Sequence, residues 1–311
     1  METNNTNNTY DTEIDLREFF QVLWSGKWIV TSITILFIIS GLIYSLSLPN
    51  IYHSKAILSP VDESGGGMNQ VMKNMGGLAG LAGINLSSGD TGSKTFKAIE
   101  KLNTLSFFEN NILPNIFLPD LMAFKSWNAD TQNVYEEDIY NVTTKTWTRD
   151  SNYLGQTPSP QESFDIFLEH LVVFRDPDTG FVTITIKHQS PYVAKEWAEL
   201  LVNQLNDFFR AKSKLETQAA MDYLNVQMAK TSFSEIKLVI AQLLQQKMQQ
   251  FTLIEASSFY VFDYIDPPAV MEKKSEPSRA AICIIAAIIG GLLGSLVVMI
   301  RFYSSVNKKH Q

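Results

Sequence analysis

Two long apolar segments without charged residues constrain this chain more than any other feature. The first runs from Trp28 to Leu48 and the second from Ala280 to Ile300. A helix of about 20 residues crosses a hydrocarbon core of about 30 Å, because it rises 1.5 Å per residue. The polar, Asn-rich stretch before the first segment and the length of its apolar run are not typical of a cleavable signal peptide. We therefore predict two transmembrane helices, at residues 28–48 and 280–300.

Two spans place both chain termini on one side of a membrane and the long middle region on the other. Lys273, Lys274 and Arg279 precede the second span, but long loops are translocated largely regardless of their charge. We therefore expect residues 1–27 and 301–311 to be cytoplasmic and residues 49–279 to form a domain outside the cytoplasm.

Composition excludes several classes of protein. The chain carries a net charge of −7 and lacks a Lys/Arg stripe, so we expect no nucleic-acid partner. The single cysteine, Cys283, excludes an internal disulfide and any metal site built from several cysteines. The four histidines lie at positions 53, 170, 188 and 310, without the paired spacing of a metal site. We predict neither a metal nor a cofactor.

The middle region mixes strand and helix patterns, which predicts an α+β fold. The turn-forming run 175–180 separates two β-prone segments and predicts a hairpin. A Gly-rich stretch at 64–92 is typical of a loop, and residues 120–160 show no clear period. Predicted strands are 51–58, 171–174, 181–188 and 260–266, with a helix at 93–110.

The region after the hairpin predicts an unusually long helix, at about 191–257. Neither Gly nor Pro occurs between Tyr192 and Asp266, and apolar residues recur at helical spacing. Pro191 suits the first helical position, after Ser190 as the cap. A continuous helix would reach roughly 100 Å, which a compact domain cannot bury. It would protrude, bend near 230–232 or pack on copies of itself, and a broken helical hairpin remains an alternative.

Three local motifs are compatible with enzyme chemistry but incomplete. Residues 89–95 resemble a phosphate-binding loop, but Ser93 interrupts the required Gly-Lys-Ser/Thr. The run 176–180 resembles half of a calcium loop without the later bidentate acid, so a hairpin turn is the better interpretation. The acids at 136–138 are typical of a solvated surface. We predict no catalytic residues and no enzyme activity.

Several short motifs occur in the same order along the chain as in one known family. These are Ile14-Asp15-Leu16 before the first span, residues 179–183, residues 190–197, Ile265-Asp266-Pro267-Pro268, and residues 272–277 ending at Pro277. In this arrangement the chain resembles the polysaccharide co-polymerases, the Wzz-type chain-length determinants of Gram-negative bacteria. Met271 departs from the pattern, because the family usually has a further proline in that stretch.

The resemblance implies a location, a set of partners and a function. Members have an α/β base domain beside the inner membrane, a long periplasmic helix and ring-shaped homo-oligomers. They control the length of O-antigen or a related polysaccharide through the membrane polymerase, which extends a lipid-linked glycan. For this chain the resemblance implies a non-enzymatic, two-pass inner-membrane protein, with its large domain in the periplasm.

Two other functions remain open from the sequence. One is a co-polymerase of a capsule or exopolysaccharide export system that works with a separate tyrosine kinase. The other is a membrane-anchored periplasmic enzyme that cleaves glycans, which would need two carboxylates at catalytic separation.

The second span contains small residues at regular spacing. Ala286, Gly290 and Gly294 recur every four residues, and so do Ala287, Gly291 and Ser295. Small residues at this spacing let another helix backbone approach closely inside a membrane. We expect the first of these stripes to be a helix-packing face. Its partner can be the first span near Ser40-Gly41, a neighbouring subunit or the polymerase.

Overall fold

The structure of the protein is a computed structural model, which describes residues 22, 24–61, 91–129, 132–150 and 155–309. They form two compact units. The span unit comprises residues up to Asn50 and from Ser275 onward, and the central unit comprises Ile51–Lys274. The predicted motif Ile14-Asp15-Leu16, most of the Gly-rich stretch and His310 lie outside the described residues.

The span unit is a pair of helices, α1 (Lys27–Ser47) and α8 (Arg279–Lys309). In the described part of the chain, these helices are long and apolar enough to cross a membrane, with mean hydropathies of 2.2 and 2.7 over their most apolar stretches. The central unit mixes helices and strands. The predicted α+β fold with two candidate transmembrane helices is therefore confirmed.

A four-stranded antiparallel sheet organises the central unit. Its strands are β1 (Tyr52–Pro60), β6 (Leu171–Arg175), β7 (Val182–His188) and β8 (Phe262–Asp266), in the order β6-β7-β1-β8. Leu58 of β1 pairs with Tyr264 of β8. The first and last strands of the sheet are therefore neighbours, although about 200 residues separate them in sequence.

The turn between β6 and β7 forms the predicted hairpin. Oδ1 of Asp176 accepts hydrogen bonds from the backbone N–H groups of Asp178, at 2.8 Å, and Thr179, at 3.2 Å. Gly180 adopts a φ of +73°, a conformation that glycine reaches without a steric penalty. The Asp176–Gly180 run therefore serves as a turn.

The first half of α6 (Pro191–Lys230) covers the sheet. Its apolar side chains recur every three to four residues on the face toward β1 and β7, and Trp197, Leu201 and Leu205 are each at most 2% exposed. This burial of large side chains is the main hydrophobic contribution of the helix to the core. Beyond Phe209, its buried residues are Thr217 and Met221.

The long helix predicted at about 191–257 is broken at 231–233, near the bend considered at 230–232, and forms the helical hairpin that was the alternative. α6 ends at Lys230, Thr231 is extended with φ −84° and ψ 137°, and α7 (Ser234–Ala256) folds back along α6. Thr231 and Ser232 favour a break, because such side chains compete with helical hydrogen bonds. The reversal lets Lys214 of α6 form an ion pair with Glu255 of α7.

The remaining elements correct two predictions. The helix expected at 93–110 is α2 (Thr91–Leu102), followed after extended Thr104 by further helical turns. The stretch 120–160, expected to be irregular, contains two β-ribbons whose strands are two to five residues long, too short to show a period. The further elements are α3 (Leu105–Phe107), a π-helix (Phe108–Ile112), a 3-10 turn (Leu113–Asn115), α4 (Leu118–Met122), β2 (Phe124–Asn128), β3 (Gln132–Tyr135), β4 (Tyr140–Asn141), β5 (Thr146–Trp147) and α5 (Pro160–His170).

Candidate functional site

The small-residue stripe of α8 lies directly against α1. A Cβ atom added to Gly290 would lie 2.9 Å from the Cα of Thr34, and one added to Gly294 would lie 3.0 Å from the Cα of Val30. Ala286 occupies the next position along the stripe, where its Cβ would lie 2.7 Å from a Cβ added to Gly41. The two backbones therefore approach so closely that side chains at these glycines would force them apart.

The second stripe of α8 is packed less tightly. The nearest atom to a Cβ added to Gly291 is Oγ1 of Thr34, at 3.9 Å, which is an ordinary contact. The hydroxyl groups near this interface bond within their own helices, Thr34 to the carbonyl of Val30 and Ser295 to the carbonyl of Gly291, both at 2.8 Å. Such internal bonds satisfy polar groups where water is absent.

The residues of the Ile265–Pro268 motif lie at the end of β8. Ile265 and Pro267 are exposed, whereas Pro268 is buried. Asp266 is exposed and pairs with Ile57 of β1 across the sheet. The Oγ of Ser54 donates a hydrogen bond of 3.0 Å to the carbonyl of Ala269, which fixes the chain just after the motif.

Pro277 lies in the other unit, two residues before α8, and is half-buried. The structure therefore divides the predicted motif residues between the end of a strand and the approach to a helix.

A buried polar network that sequence reasoning missed joins α4, β3, β7 and α6. Nε2–H of His188 donates to the backbone carbonyl of Asp120 at 3.0 Å, and Nδ1 accepts from the backbone N–H of Ser190 at 2.9 Å. Ser190 is the N-cap residue of α6, as predicted, but its side chain makes no capping hydrogen bond. Both ring nitrogens of His188 are therefore satisfied in the neutral form.

The surroundings of His188 favour that neutral form. Its side chain is 2% exposed, and its ring packs 4.4 Å from that of Phe124 and 5.2 Å from that of Trp197, measured between centroids. Burial is the main cause that lowers the pKa of His188 to about 4. The nearby His170 adds to this decrease, and the two backbone hydrogen bonds oppose it.

Asp120 completes this network on the side facing the β2–β3 ribbon. Its Oδ1 accepts a 2.6 Å hydrogen bond from the hydroxyl of Tyr135 and a 3.2 Å bond from the amide of Asn133. Burial raises the pKa of the Asp120 carboxyl, and these two hydrogen bonds partly offset the rise. The scattered sequence positions of these residues gave no motif by which the network could be predicted.

The geometry of the network does not resemble a metal site. Within the described residues, no group of three or more His, Cys, Asp or Glu side chains could hold a metal ion. The rings of His170 and His188 are 5.6 Å apart, closer than their sequence spacing suggested. Nδ1 of His170 bonds to the carbonyl of Lys187 at 2.6 Å, so both histidines hold backbone groups.

Comparison with known families identifies the first part of the chain. Residues 12–105 match the model of the Wzz family, described as chain length determinant protein. This segment is of the Wzz type. The resemblance predicted from the ordered motifs is thereby confirmed. The matched Wzz-type segment includes α1, β1 and α2, and it also includes the Ile14-Asp15-Leu16 motif.

The solved structures that are similar to this chain have low sequence identity to it. One, described as a full-length bacterial polysaccharide co-polymerase, is 13% identical, with coverage of 94% of this chain and 98% of the other and a TM-score of 0.39. A fragment of the polysaccharide co-polymerase WzzB from Salmonella Typhimurium is 14% identical, with coverage of 73% of this chain and 100% of the fragment and a TM-score of 0.32. No curated protein sequence matches the chain significantly.

Proposed function

We propose that this protein is a non-enzymatic, two-pass inner-membrane regulator of polysaccharide chain length, acting on O-antigen or a related polymer. The match of residues 12–105 to the chain length determinant family carries the proposal. The order along the sequence, with one candidate span before the central unit and one after it, supports the proposal. In this role the central unit lies in the periplasm and both termini lie in the cytoplasm.

We further propose that the protein works as a homo-oligomer. The hairpin of α6 and α7 carries many exposed apolar side chains, and α7 buries only Ile240 and Ile254 among its 23 residues. An exposed apolar surface of this kind favours association with another protein surface. The exposed side chains of the hairpin include Leu215, Tyr223, Val226, Phe233, Ile236, Leu238, Val239, Leu243, Met248 and Leu253.

The proposed partner of the oligomer is the membrane polymerase that extends a lipid-linked glycan. A regulator of this kind changes how long the polymerase holds or extends the glycan, and it forms no bonds itself. No residue of the chain is assigned a chemical step in this role.

Deletion of the gene in its own bacterium tests the proposal. We expect polysaccharide synthesis to continue, while the length distribution loses its modal cluster and shifts toward short chains. Gel electrophoresis of lipopolysaccharide, run beside the capsular or exported polysaccharide, measures both outcomes and identifies the regulated polymer. Complete loss of polymer would contradict the proposal and indicate an enzyme or an essential export component.

A further inference from the structure

Three aromatic side chains from different elements of the central unit pack against one another. Tyr52 is the first residue of β1, Trp127 lies in β2 and Tyr192 lies in the first turn of α6. The ring centroids of Tyr52 and Trp127 are 5.5 Å apart, and those of Trp127 and Tyr192 are 6.1 Å apart. We refer to these three residues as the aromatic platform.

The aromatic platform is not part of the hydrophobic core. Tyr192 is 60% exposed, and Tyr52 and Trp127 are half-buried. The neighbours of Tyr192 in the helix, Pro191 and Val193, are buried, so the exposed ring lies on the outer side of the first turn. Large aromatic rings that remain accessible to solvent are enriched at recognition surfaces, because they combine a large apolar face with a polar edge.

Polar groups lie beside the rings. Glu196 is exposed and lies one helical turn after Tyr192, on the same face of α6. Asn133, which is half-buried, lies directly opposite Trp127 in the β2–β3 ribbon and therefore shares its face of the ribbon. The surface therefore combines aromatic faces with carboxylate and amide groups.

This combination suits a sugar chain. The C–H face of a sugar ring stacks on an aromatic face, while its hydroxyl groups hydrogen-bond to carboxylates and amides. The negative charge of Glu196 disfavours phosphate groups and anionic lipid headgroups at the same surface.

We propose that Tyr52, Trp127 and Tyr192 form a stacking subsite for sugar rings of the polysaccharide whose length the protein regulates. This inference rests on the proposed function and adds a specific contact between the central unit and the polymer. Tyr192 and Trp127 stack on the sugar rings. Tyr52 holds the Trp127 ring in place through the T-shaped contact between their rings.

Direct binding tests the subsite. The full chain in lipid nanodiscs is titrated calorimetrically with polysaccharide purified from its own bacterium, and with dextran as a comparison polymer. We expect wild-type protein to bind the native polysaccharide and Trp127→Ala and Tyr192→Ala each to weaken binding about 10-fold, which corresponds to about 1.4 kcal/mol. Trp127→Phe and Tyr192→Phe should retain most of the affinity, because they keep an aromatic face.

Tyr223→Ala is the matched control for Tyr192→Ala. Tyr223 lies on the same helix and is 64% exposed, but it is far along α6 from the platform. The Tyr223→Ala variant should bind polysaccharide with the same affinity as the wild type. Wild-type protein that binds no polysaccharide, or alanine variants that bind with unchanged affinity, would overturn the proposal.

A second experiment tests whether the rings of the aromatic platform contact lipid instead of sugar. Nanodiscs containing brominated lipids quench tryptophan fluorescence on contact, and the difference between wild type and Trp127→Phe isolates the signal of Trp127. We expect that difference signal to be unaffected by bromination. Strong quenching would place the ring at the bilayer and overturn the glycan assignment.

Chain length in cells separates failure of the subsite from failure of the proposed function. Suppose that gene deletion alters the length distribution, whereas Tyr192→Ala binds the polysaccharide with wild-type affinity and leaves the distribution unchanged. The proposed function then holds and the subsite is wrong. If deletion leaves the distribution unchanged, the proposed function is wrong, and the binding titration still decides whether the platform recognises sugar. We expect Tyr192→Ala to shift the modal length and Tyr192→Phe to preserve it.

Discussion

Asn206 and Phe262 hydrogen-bond to each other in both directions and so join α6 to β8. The Nδ2 group of Asn206 donates to the carbonyl of Phe262 at 3.0 Å, and its Oδ1 accepts from the backbone N–H of Phe262 at 3.0 Å. The same Oδ1 also accepts from the backbone N–H groups of Tyr260 and Val261, at 3.1 and 2.7 Å. One buried side chain therefore satisfies three consecutive donors where the chain enters the last strand.

We predict that Asn206→Leu strongly destabilises the protein, because it leaves these buried N–H groups without an acceptor. Each unsatisfied buried group costs about 1–3 kcal/mol, so the free energy of unfolding should fall by about 3 kcal/mol or more. Thermal unfolding of the full chain in detergent, followed by intrinsic fluorescence, measures the loss. Asn225→Leu, at an exposed position of the same helix, is the control and should have little effect. Equal melting temperatures for the two variants would contradict the assigned role.

The second prediction concerns acid sensitivity and follows from His188. Protonation of Nδ1 would set a new N–H donor against the N–H of Ser190, which now donates to that atom. The folded pKa, about 4, lies below the unfolded value of about 6.5, so the stability contribution is complete above pH 6.5 and is lost as pH falls toward 4. Its full size is on the order of 3 kcal/mol.

Melting temperatures of wild type and His188→Gln between pH 7.5 and 4.5 test this prediction. We expect the wild type to lose more stability than the variant as pH falls, although the variant starts from a lower value at pH 7.5. The raised pKa of Asp120 acts in the opposite direction in both proteins, and the groups that also face this network are His170 and Glu196. Comparison of the two pH slopes therefore isolates His188. Parallel slopes would rule out its titration as a source of acid sensitivity.

The third prediction concerns the contact between the candidate spans. Gly290→Leu combined with Gly294→Leu should separate α8 from α1, because each new side chain would meet backbone or Cβ atoms of α1 at about 3 Å. We expect loss of modal chain-length control and weaker cross-linking between cysteines introduced into the two helices. Gly291→Leu is the matched control, since its nearest neighbour atom is 3.9 Å away. Normal length control in the double variant would show that the close approach is dispensable.

The fourth prediction concerns topology. In a Cys283→Ala background, a cysteine introduced at exposed Thr143 or at exposed Ser232 should react with a membrane-impermeant maleimide when only the outer membrane is permeabilised. The central unit would then lie in the periplasm, as proposed. A cysteine introduced at Asn307 near the C-terminus should react only after inner-membrane lysis. The reverse labelling pattern would show that the orientation is wrong.

Local sequence patterns were sufficient to predict the elements that depend on residues close together in the sequence. The uncharged segments after Lys27 and after Arg279 predicted α1 and α8, because length and the absence of charge are the requirements for crossing a hydrocarbon core. The β6–β7 hairpin was also predictable, because Asp176 and Gly180 carry the turn within a few residues. The order of short motifs along the chain was enough to indicate the Wzz type, because such motifs are linear features of the sequence.

Tertiary contacts decided the features that depend on residues far apart in sequence. The sequence left open whether residues 191–257 form one protruding helix or bend near 230–232. The chain reverses there, and packing of α7 along α6 compensates for the lost helical hydrogen bonds. The setting of His188, its pKa and its bonds to Asp120 and Ser190 arise only when α4, β7 and α6 meet. The sequence determined which segments are apolar and where the β6–β7 hairpin turns, because those are local properties. The tertiary structure alone decided which polar groups and rings become neighbours, because burial and hydrogen bonding between distant segments depend on the complete fold.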